Sequence, residues 1–336
     1  VTLPVTADLV PMEARSVSTI PRGAGWLYEP KWDGFRCIAF RDGDEVLLRS
    51  KSGQPFERYF PEIVARLRAL ESPHFVLDGE LVVPAGETLS FDDLLQRIHP
   101  AATRVAKLSR ESPARYLIFD LLLGEDGEAL LEQPLAERRA ALERFASRHL
   151  PSGDAGLRLS PATQDPAQVD AWLAGTGGAL DGIVAKRLDA PYGPGRRDAM
   201  VKVKTIRSAD CVVAGYRPND EGDAVGSLLL GLYDENGDLD YVGFTSGFSA
   251  LEKRELFARF APLRAAASFT GRTPGGPSRW NRGKSTAWQP LRPELVLEVA
   301  FDQVTAGRFR HGTRPLRWRP DKAPKTCALS QLAAPA

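Results

Sequence analysis

Residues 29–36 read Glu-Pro-Lys-Trp-Asp-Gly-Phe-Arg, and the lysine at position 31, followed at fixed spacing by Asp33, Gly34 and Arg36, decides how the rest of the chain is read. Asp-Gly alone is an ordinary turn, and Lys and Arg are common on surfaces. The other reading makes Lys31 a nucleophile. A lysine with its ordinary pKa of ~10.4 is protonated near neutrality and cannot attack. It needs desolvation or neighbouring cations. The two readings are separated by whether other lysines and arginines converge on Lys31.

The chain has 336 residues, enough for two domains, each with its own core. A hydrophobic fraction of 43% and a charged fraction of 26% are those of a soluble globular protein. Leu117–Leu123 is the nearest approach to a membrane span, and Asp120 interrupts it. The N-terminus lacks the layout of a signal peptide. Cys37, Cys211 and Cys327, odd in number and far apart, indicate reduced thiols in a cytoplasmic protein. The four histidines form no zinc pattern.

A net charge of +1 hides an asymmetry. Between Arg272 and Lys325 there are twelve Lys or Arg against four Asp or Glu. Trp280, Trp288, Phe309 and Trp318 lie among them. A basic segment with interleaved aromatics points to a polyanion partner, a solvated charged face being the alternative.

Alternation predicts strands over Arg36–Phe40, Val46–Ser50, Phe75–Val83, Arg115–Leu122, Leu180–Lys186 and Met200–Lys204. Helical spacing predicts helices over Pro61–Leu70, Phe91–Ile98, Pro134–His149 and Asp165–Ala174. The irregular alternation favours an α+β domain with antiparallel sheets over a doubly wound fold. After Ile206–Asp210 the pattern changes to short strands (Cys211–Tyr216, Ser227–Tyr233, Leu239–Thr245, Leu295–Phe301) and one helix, Ala250–Phe260. Asn236-Gly237 reads as a hairpin turn. Five or so strands with one helix suit a small OB-type barrel. The expected organisation is a domain over 1–207, a barrel over 208–325 and a loose tail over 326–336.

Further acid-and-lysine runs follow Lys31. Val76–Leu81 reads as a strand whose Asp78 and Glu80 share one face, costly unless a cation or metal pairs with them. Phe119 lies in an apolar strand. Asp181-Gly-Ile-Val-Ala-Lys186 precedes a glycine-rich basic loop, Tyr192–Arg197. Lys202 and Lys204 alternate with valines on one face, where they repel unless an anion lies between them. A nucleotide phosphate would serve, and their field would lower the pKa of Lys31.

On these residues the chain resembles the ATP-dependent DNA ligases over essentially its whole length, most closely the small bacterial C-type enzymes and the ligase module of bacterial end-joining proteins. The run from Lys31 through Asp33 to Arg36 matches motif I, the K-x-D-G-x-R pattern of covalent nucleotidyltransferases. The resemblance implies an α+β adenylation domain followed by an OB-fold β-barrel domain. It makes Lys31 the adenylated nucleophile and counts Asp33, Arg36, Lys202 and Lys204 with it as catalytic. It puts Arg36 on the nucleotide sugar or the nick phosphate, and Glu29 on the adenine amino group. Arg49–Gly53 resembles motif Ia, with Lys51 where an arginine is usual, which puts a bidentate phosphate contact in question. Glu80 matches motif III, on ribose or metal, and Phe119 the aromatic that stacks on adenine. Asp181 stands where motif IV has glutamate, one methylene shorter, and Lys186 closes that motif. Lys202 and Lys204 match the motif V lysines that hold the α-phosphate, with Met200 where tryptophan is frequent. Arg314–Lys322 resembles motif VI; Arg317, Arg319, Asp321 and Lys322 match positions that orient the leaving pyrophosphate.

The implied reaction takes ATP, bound between the two domains, with Mg²⁺ or Mn²⁺ at Glu80 and Asp181. AMP passes through Lys31 to the 5′-phosphate of nicked duplex DNA, and the 3′-hydroxyl displaces it. A monomer, a place in DNA repair and repair-protein partners are expected. RNA ligases and GTP-using capping enzymes share the nucleophile and remain alternatives, as does a catalytically dead nucleic-acid-binding protein. Larger family members carry an N-terminal DNA-clamping domain for which this chain has no room. Encirclement of DNA would then rest on the two domains and the loop at 271–292. Neutralising Arg279, Arg282 and Lys284 would weaken salt-sensitive nick binding.

Overall fold

The computed structural model describes residues 3–86, 88–150, 153, 156–174, 180–204, 206–275 and 287–333. It divides into two units, Val1–Thr205 and Ile206–Ala336. In chain order the first unit contains β1 (Arg15–Ser16), β2 (Trp26–Trp32), β3 (Phe35–Asp42), β4 (Glu45–Ser50), α1 (Pro61–Ala69) and β5 (His74–Val82). There follow the two-residue strands β6 (Pro84–Ala85) and β7 (Thr88–Leu89), then α2 (Phe91–Arg97), α3 (Ala102–Glu111), β8 (Arg115–Leu123), α4 (Leu135–His149) and β9 (Leu157–Leu159). The unit ends with α5 (Pro166–Ala174), β10 (Leu180–Arg187) and β11 (Met200–Lys204).

These strands build two mainly antiparallel sheets, β1-β11-β10-β2 and β4-β3-β5-β8-β9. Their alternation sorts the side chains. From the first sheet, Tyr28, Ile183, Ala185 and Val201 pack with Ile20 and Val169 on one face. The register pairs Val184 with Glu29 on one side and Lys202 on the other, so these three form a row across the sheet. From the second sheet, Cys37, Ala39, Leu77, Leu81 and Ile118 pack with Phe60, Ile63 and Leu67, from α1 and the residue before it, and with Leu142 and Phe145 of α4. Its other face gives Ile38, Phe40, Val76 and Leu122 to a third cluster that takes Met200 from the first sheet. The sheets are joined there by apolar contact.

Sequence periodicity located most of these elements to within two residues. It did not find α3, whose only buried residue is Val105, or β2, the strand that carries Lys31. The Pro30 and Trp32 that flank the lysine hid a strand with no clean alternation.

The second unit contains β12 (Arg207–Pro218), β13 (Val225–Tyr233), β14 (Leu239–Thr245), α6 (Ala250–Phe260), β15 (Gln289–Phe301), β16 (Val304–Thr305), β17 (Arg308–Phe309) and β18 (Arg314–Trp318). Ser249 caps α6 in a reciprocal capping box with Glu252. The turn at Asn236-Gly237 joins β13 to β14 as expected, with Gly237 at φ +84°. Five strands form one sheet in the order β14-β13-β12-β15-β18. Among the described residues the ladder does not close into a barrel. Its ends touch at the isolated Thr245–Thr313 bridge, where Thr245 Oγ1 donates to the Thr313 carbonyl at 2.8 Å. The last described residues are not a loose tail. Cys327 and Leu332 are buried in the unit's core, and the Tyr233 amide donates to the Cys327 carbonyl at 2.8 Å. All three cysteines are free and buried. Trp280, Arg279, Arg282 and Lys284 lie outside the described residues.

Candidate active site

The two sheets of the first unit leave a cleft lined by Met12, Glu29, Lys31, Arg36, Lys51, Glu80, Phe119, Val184, Lys186 and Lys202, among others. Seven residues singled out from sequence as nucleotide or metal contacts, from Glu29 to Lys202, therefore meet in one place. Asp181 and Lys204 join them through Lys31, whose amine donates to the Asp181 carboxylate. Lys204 Nζ stands 3.7 Å from the same Asp181 oxygen. Asp33 lies between β2 and β3, where its charge is one of those acting on Glu80.

Local backbone irregularities aim these groups. Strict alternation would place Asp181 on the same face as Ile183, away from Lys31. The register of β10 against β2 shifts between Leu180 and Ile183, and Gly182 takes φ +144°. A Cβ at Gly182 would lie 2.0 Å from the Val203 carbonyl oxygen. The bulge turns Asp181 toward the lysines, and only glycine fits beside it. A second bulge leaves Phe119 of β8 without a partner in the ladder with β5, between the pairs Asp78–Asp120 and Gly79–Ile118.

Phe119 meets two cations. Arg36 Cζ lies 4.5 Å and Lys186 Nζ 4.4 Å from its ring centroid. Lys186 also reaches Glu29 Oε2 at 2.7 Å, a pair that is almost wholly buried. The second oxygen, Glu29 Oε1, is buried with no hydrogen-bond partner among the described residues. Burial pushes the Glu29 carboxyl pKa upward, against the pull of Lys186. An acceptor left open in this way is costly unless a ligand donor completes it.

Arg36 has a partner that the sequence reading did not assign. Its Nε and Nη2 each donate to Asp78 at 2.6 Å, and Tyr192 Oη donates to the same carboxylate at 2.6 Å. Tyr192 in turn accepts from the Met12 amide at 3.1 Å. Asp78 faces Asp120 across β5 and β8, a like-charge pairing that would repel. Each acid has its own arginine: Arg138 donates to Asp120 at 2.9 and 3.0 Å. The signal for Asp78 was its shared face with Glu80. Tyr192 stood in the glycine-rich loop but carried no signal for this contact.

Glu80 behaves differently from Asp78. Burial raises its pKa to about 7, with Asp78 and Asp33 adding to the shift and Arg36 and Lys31 opposing it. A carboxylate so short of compensation suits a cation. Asp181 supplies a second hard oxygen donor, although here it engages Lys31 and Lys204. No group of three or more His, Cys, Asp or Glu side chains among the described residues could hold a metal unaided. Two carboxylates fit a metal that keeps its waters or takes substrate oxygens.

Lys202 makes no side-chain ion pair among the described residues. Its pKa is lowered, first by burial and then by Lys31, Lys204 and Lys51. Lys51 reaches Glu13 at 3.1 Å, and Arg197 holds the other Glu13 oxygen at 2.6 Å. Lysines thus gather along one wall, and an orphaned acceptor and an aromatic ring line the same cleft. The arrangement can bind an anion and present an amine to it.

The motif VI residues lie in the second unit, in a charge cluster of their own. Arg317 donates to Glu298 at 2.6 Å, Arg319 to Asp210 at 3.0 Å, and Lys322 to Asp210 at 2.7 Å. Asp321, held to a pKa of about 2 by its hydrogen bond from Arg319, completes the cluster.

Residues 11–204 match the family model described as the ATP dependent DNA ligase domain, and residues 221–322 the ATP dependent DNA ligase C terminal region. The chain is 45% identical over 344 residues to DNA ligase C1 of Mycolicibacterium smegmatis, covering 99% of this chain and 96% of that protein. It is 32% identical over 312 residues to a multifunctional non-homologous end joining DNA repair protein of Mycobacterium tuberculosis, covering 90% of this chain and 37% of that protein. A solved structure from work on Lig E DNA ligases shares the fold with a TM-score of 0.57 at 17% identity, covering 92% of this chain and all of that one.

Proposed function

Because the chain belongs to the ATP-dependent DNA ligase family, we propose that it seals nicks in duplex DNA through AMP carried on Lys31. The observation that carries this reading is the cleft in which Lys31 stands with Lys202, Lys186 and the unpaired oxygen of Glu29.

Adenine is placed against Phe119 and Val184, its amino group donating to Glu29 Oε1. Lys186 fixes Glu29 from the other oxygen. Lys202 and Lys204 hold the α-phosphate, which supplies the anion their shared face calls for. Asp181 orients the Lys31 amine, whose proton passes to solvent. The nitrogen lone pair then forms a bond to the α-phosphorus, and the bond to the bridging oxygen breaks. Pyrophosphate leaves with that electron pair. In the second step the nick 5′-phosphate oxygen attacks the same phosphorus and Lys31 departs. In the third, the 3′-hydroxyl oxygen attacks the 5′-phosphate and AMP leaves. Mg²⁺ or Mn²⁺ would be held by Glu80 and Asp181, where it would neutralise phosphate charge. Arg317, Arg319 and Lys322 are assigned to the leaving pyrophosphate.

The likeness to an end-joining repair protein supports a role in DNA repair, where protein partners are expected. One chain supplies both family regions, which supports action as a monomer. No described helix is long and apolar enough to cross a membrane. A substrate of chromosomal DNA supports a cytoplasmic location.

The test is transfer of label from α-phosphate-labelled ATP, with GTP in parallel, to wild type and Lys31→Ala, followed by a chase with nicked DNA. Labelling from ATP alone, absent in the variant and discharged with sealing, is expected. Labelling from GTP would indicate a capping enzyme. Discharge only onto nicked RNA would indicate an RNA ligase, and no labelling of AMP-free protein a binding protein.

A further inference from the structure

We propose that Asp210 is a positioning residue for the adenylation step. On this reading it sets Arg319 and Lys322 in their working geometry, and the C-terminal segment fixes Asp210 through Gln331. This rests on the assignment of Arg319 and Lys322 to the leaving pyrophosphate.

Asp210 of β12 is paired in register with Glu298 of β15, which is paired with Arg317 of β18. Two carboxylates opposite one another repel, and here they are 7% exposed and partly buried respectively. Nothing in sheet formation calls for an acid at Asp210, whose neighbours Ala209, Cys211 and Val212 belong to the core. Its carboxylate is occupied by two cations that arrive from beyond β18. Arg319 Nη1 lies 3.0 and 3.2 Å from its two oxygens, and Lys322 Nζ 2.7 Å from Oδ2.

The anchor is itself held. The Asp210 amide donates to Gln331 Oε1 at 3.0 Å, and Gln331 Nε2 donates to the Asp210 carbonyl at 3.1 Å. The ladder between β12 and β13 begins at Val212. Where β13 no longer accompanies β12, a glutamine amide takes its place and satisfies both backbone groups of one residue. Leu332, next in sequence, is buried in the core and secures that glutamine.

Arg and Lys lose much rotamer freedom when immobilised, so holding them in advance lowers the cost of meeting a phosphate. Each also keeps N–H donors beyond those that Asp210 takes. Asp210 touches no reacting atom in this scheme. It acts through the two cations, and only in the step in which pyrophosphate leaves.

The experiment uses the full chain as wild type, Asp210→Asn, Gln331→Ala and Arg319→Ala. It measures lysyl-AMP formation at saturating labelled ATP and, separately, sealing of a nick synthesised with its 5′-adenylate in place. Asp210→Asn is expected to slow lysyl-AMP formation about tenfold to a hundredfold, as misplacement of charged groups does. It is expected to seal the pre-adenylated nick at the wild-type rate. Gln331→Ala should shift the same step in the same direction, and it keeps the test available if Asp210→Asn does not fold. Loss of adenylation in Arg319→Ala with none in Asp210→Asn or Gln331→Ala overturns the proposal. Full adenylation by Arg319→Ala overturns instead the assignment on which it rests. Equal loss of both steps in folded Asp210→Asn reduces the residue to a structural part, which also overturns it.

Discussion

Replacing Asp78 with asparagine isolates the buried network beneath the cleft. The carboxylate is fully buried and accepts three bonds of 2.6 Å, two from Arg36 and one from Tyr192. An amide keeps the shape but removes the charge and turns a donor toward other donors. Removing one member of a buried ion pair costs about 3–5 kcal/mol, because the other charge is left uncompensated. Arg36 keeps about 20% of its side chain accessible, so solvent can relieve part of that penalty. The expected loss is then about 2–3 kcal/mol in the first unit. At about 2–4 °C per kcal/mol for a domain of this size, its transition should fall by roughly 4–12 °C. The assay is urea and thermal unfolding followed by tryptophan fluorescence, with Arg36→Met and the double variant completing a cycle. A coupling energy of about 2 kcal/mol is expected. Additivity within about 0.5 kcal/mol would mean that Asp78 and Arg36 do not stabilise one another, and the reasoning fails. Lysyl-AMP formation should fall as well, since Asp78 holds the Arg36 guanidinium that lies 4.5 Å from the Phe119 ring centroid.

Three further outcomes are expected. Gly182→Ala should abolish lysyl-AMP formation and cost about 1–3 kcal/mol, because its Cβ meets the Val203 carbonyl and the bulge that aims Asp181 must open; wild-type labelling would contradict this. Lys202 has a folded pKa below its ordinary value, so between the two the unfolded chain binds the proton more tightly and stability rises with pH. The urea midpoint of wild type minus that of Lys202→Met should therefore climb as the pH is raised toward the ordinary lysine value of ~10.4, and a constant difference would be the contrary result. Deleting residues 327–336 should destabilise the second unit by at least about 2 kcal/mol through loss of Leu332 and Cys327 from its core; an unchanged unfolding curve would count against that packing.

How much of the site was legible in the sequence depends on how each residue reaches it. Lys202 was legible because it alternates with valines, and regular alternation survives folding: the register puts it in a row with Val184 and Glu29. Lys31 was legible only through its motif, since the strand that bears it has proline and tryptophan where alternation would be read. Asp181 and Phe119 reach the cleft by breaking alternation. A bulge leaves no mark in hydrophobic periodicity, and only the glycine beside Asp181 hinted at one. Arg36, Asp78 and Tyr192 form a third kind. Both charged groups were noticed, but Arg36 was expected on substrate and Asp78 was expected beside a cation or a metal that was not named, whereas the fold pairs the two with each other. Sequence gives the charges on a face and not the partition among them. That partition is what separates the two acids of β5: Asp78 is matched by Arg36, and Glu80, two residues on, is left with its pKa raised to about 7. The same holds in the second unit, where the motif VI run was visible at once and its anchor, Asp210, was not. It stands more than a hundred residues earlier, at the point where the compositional change had marked only a domain boundary.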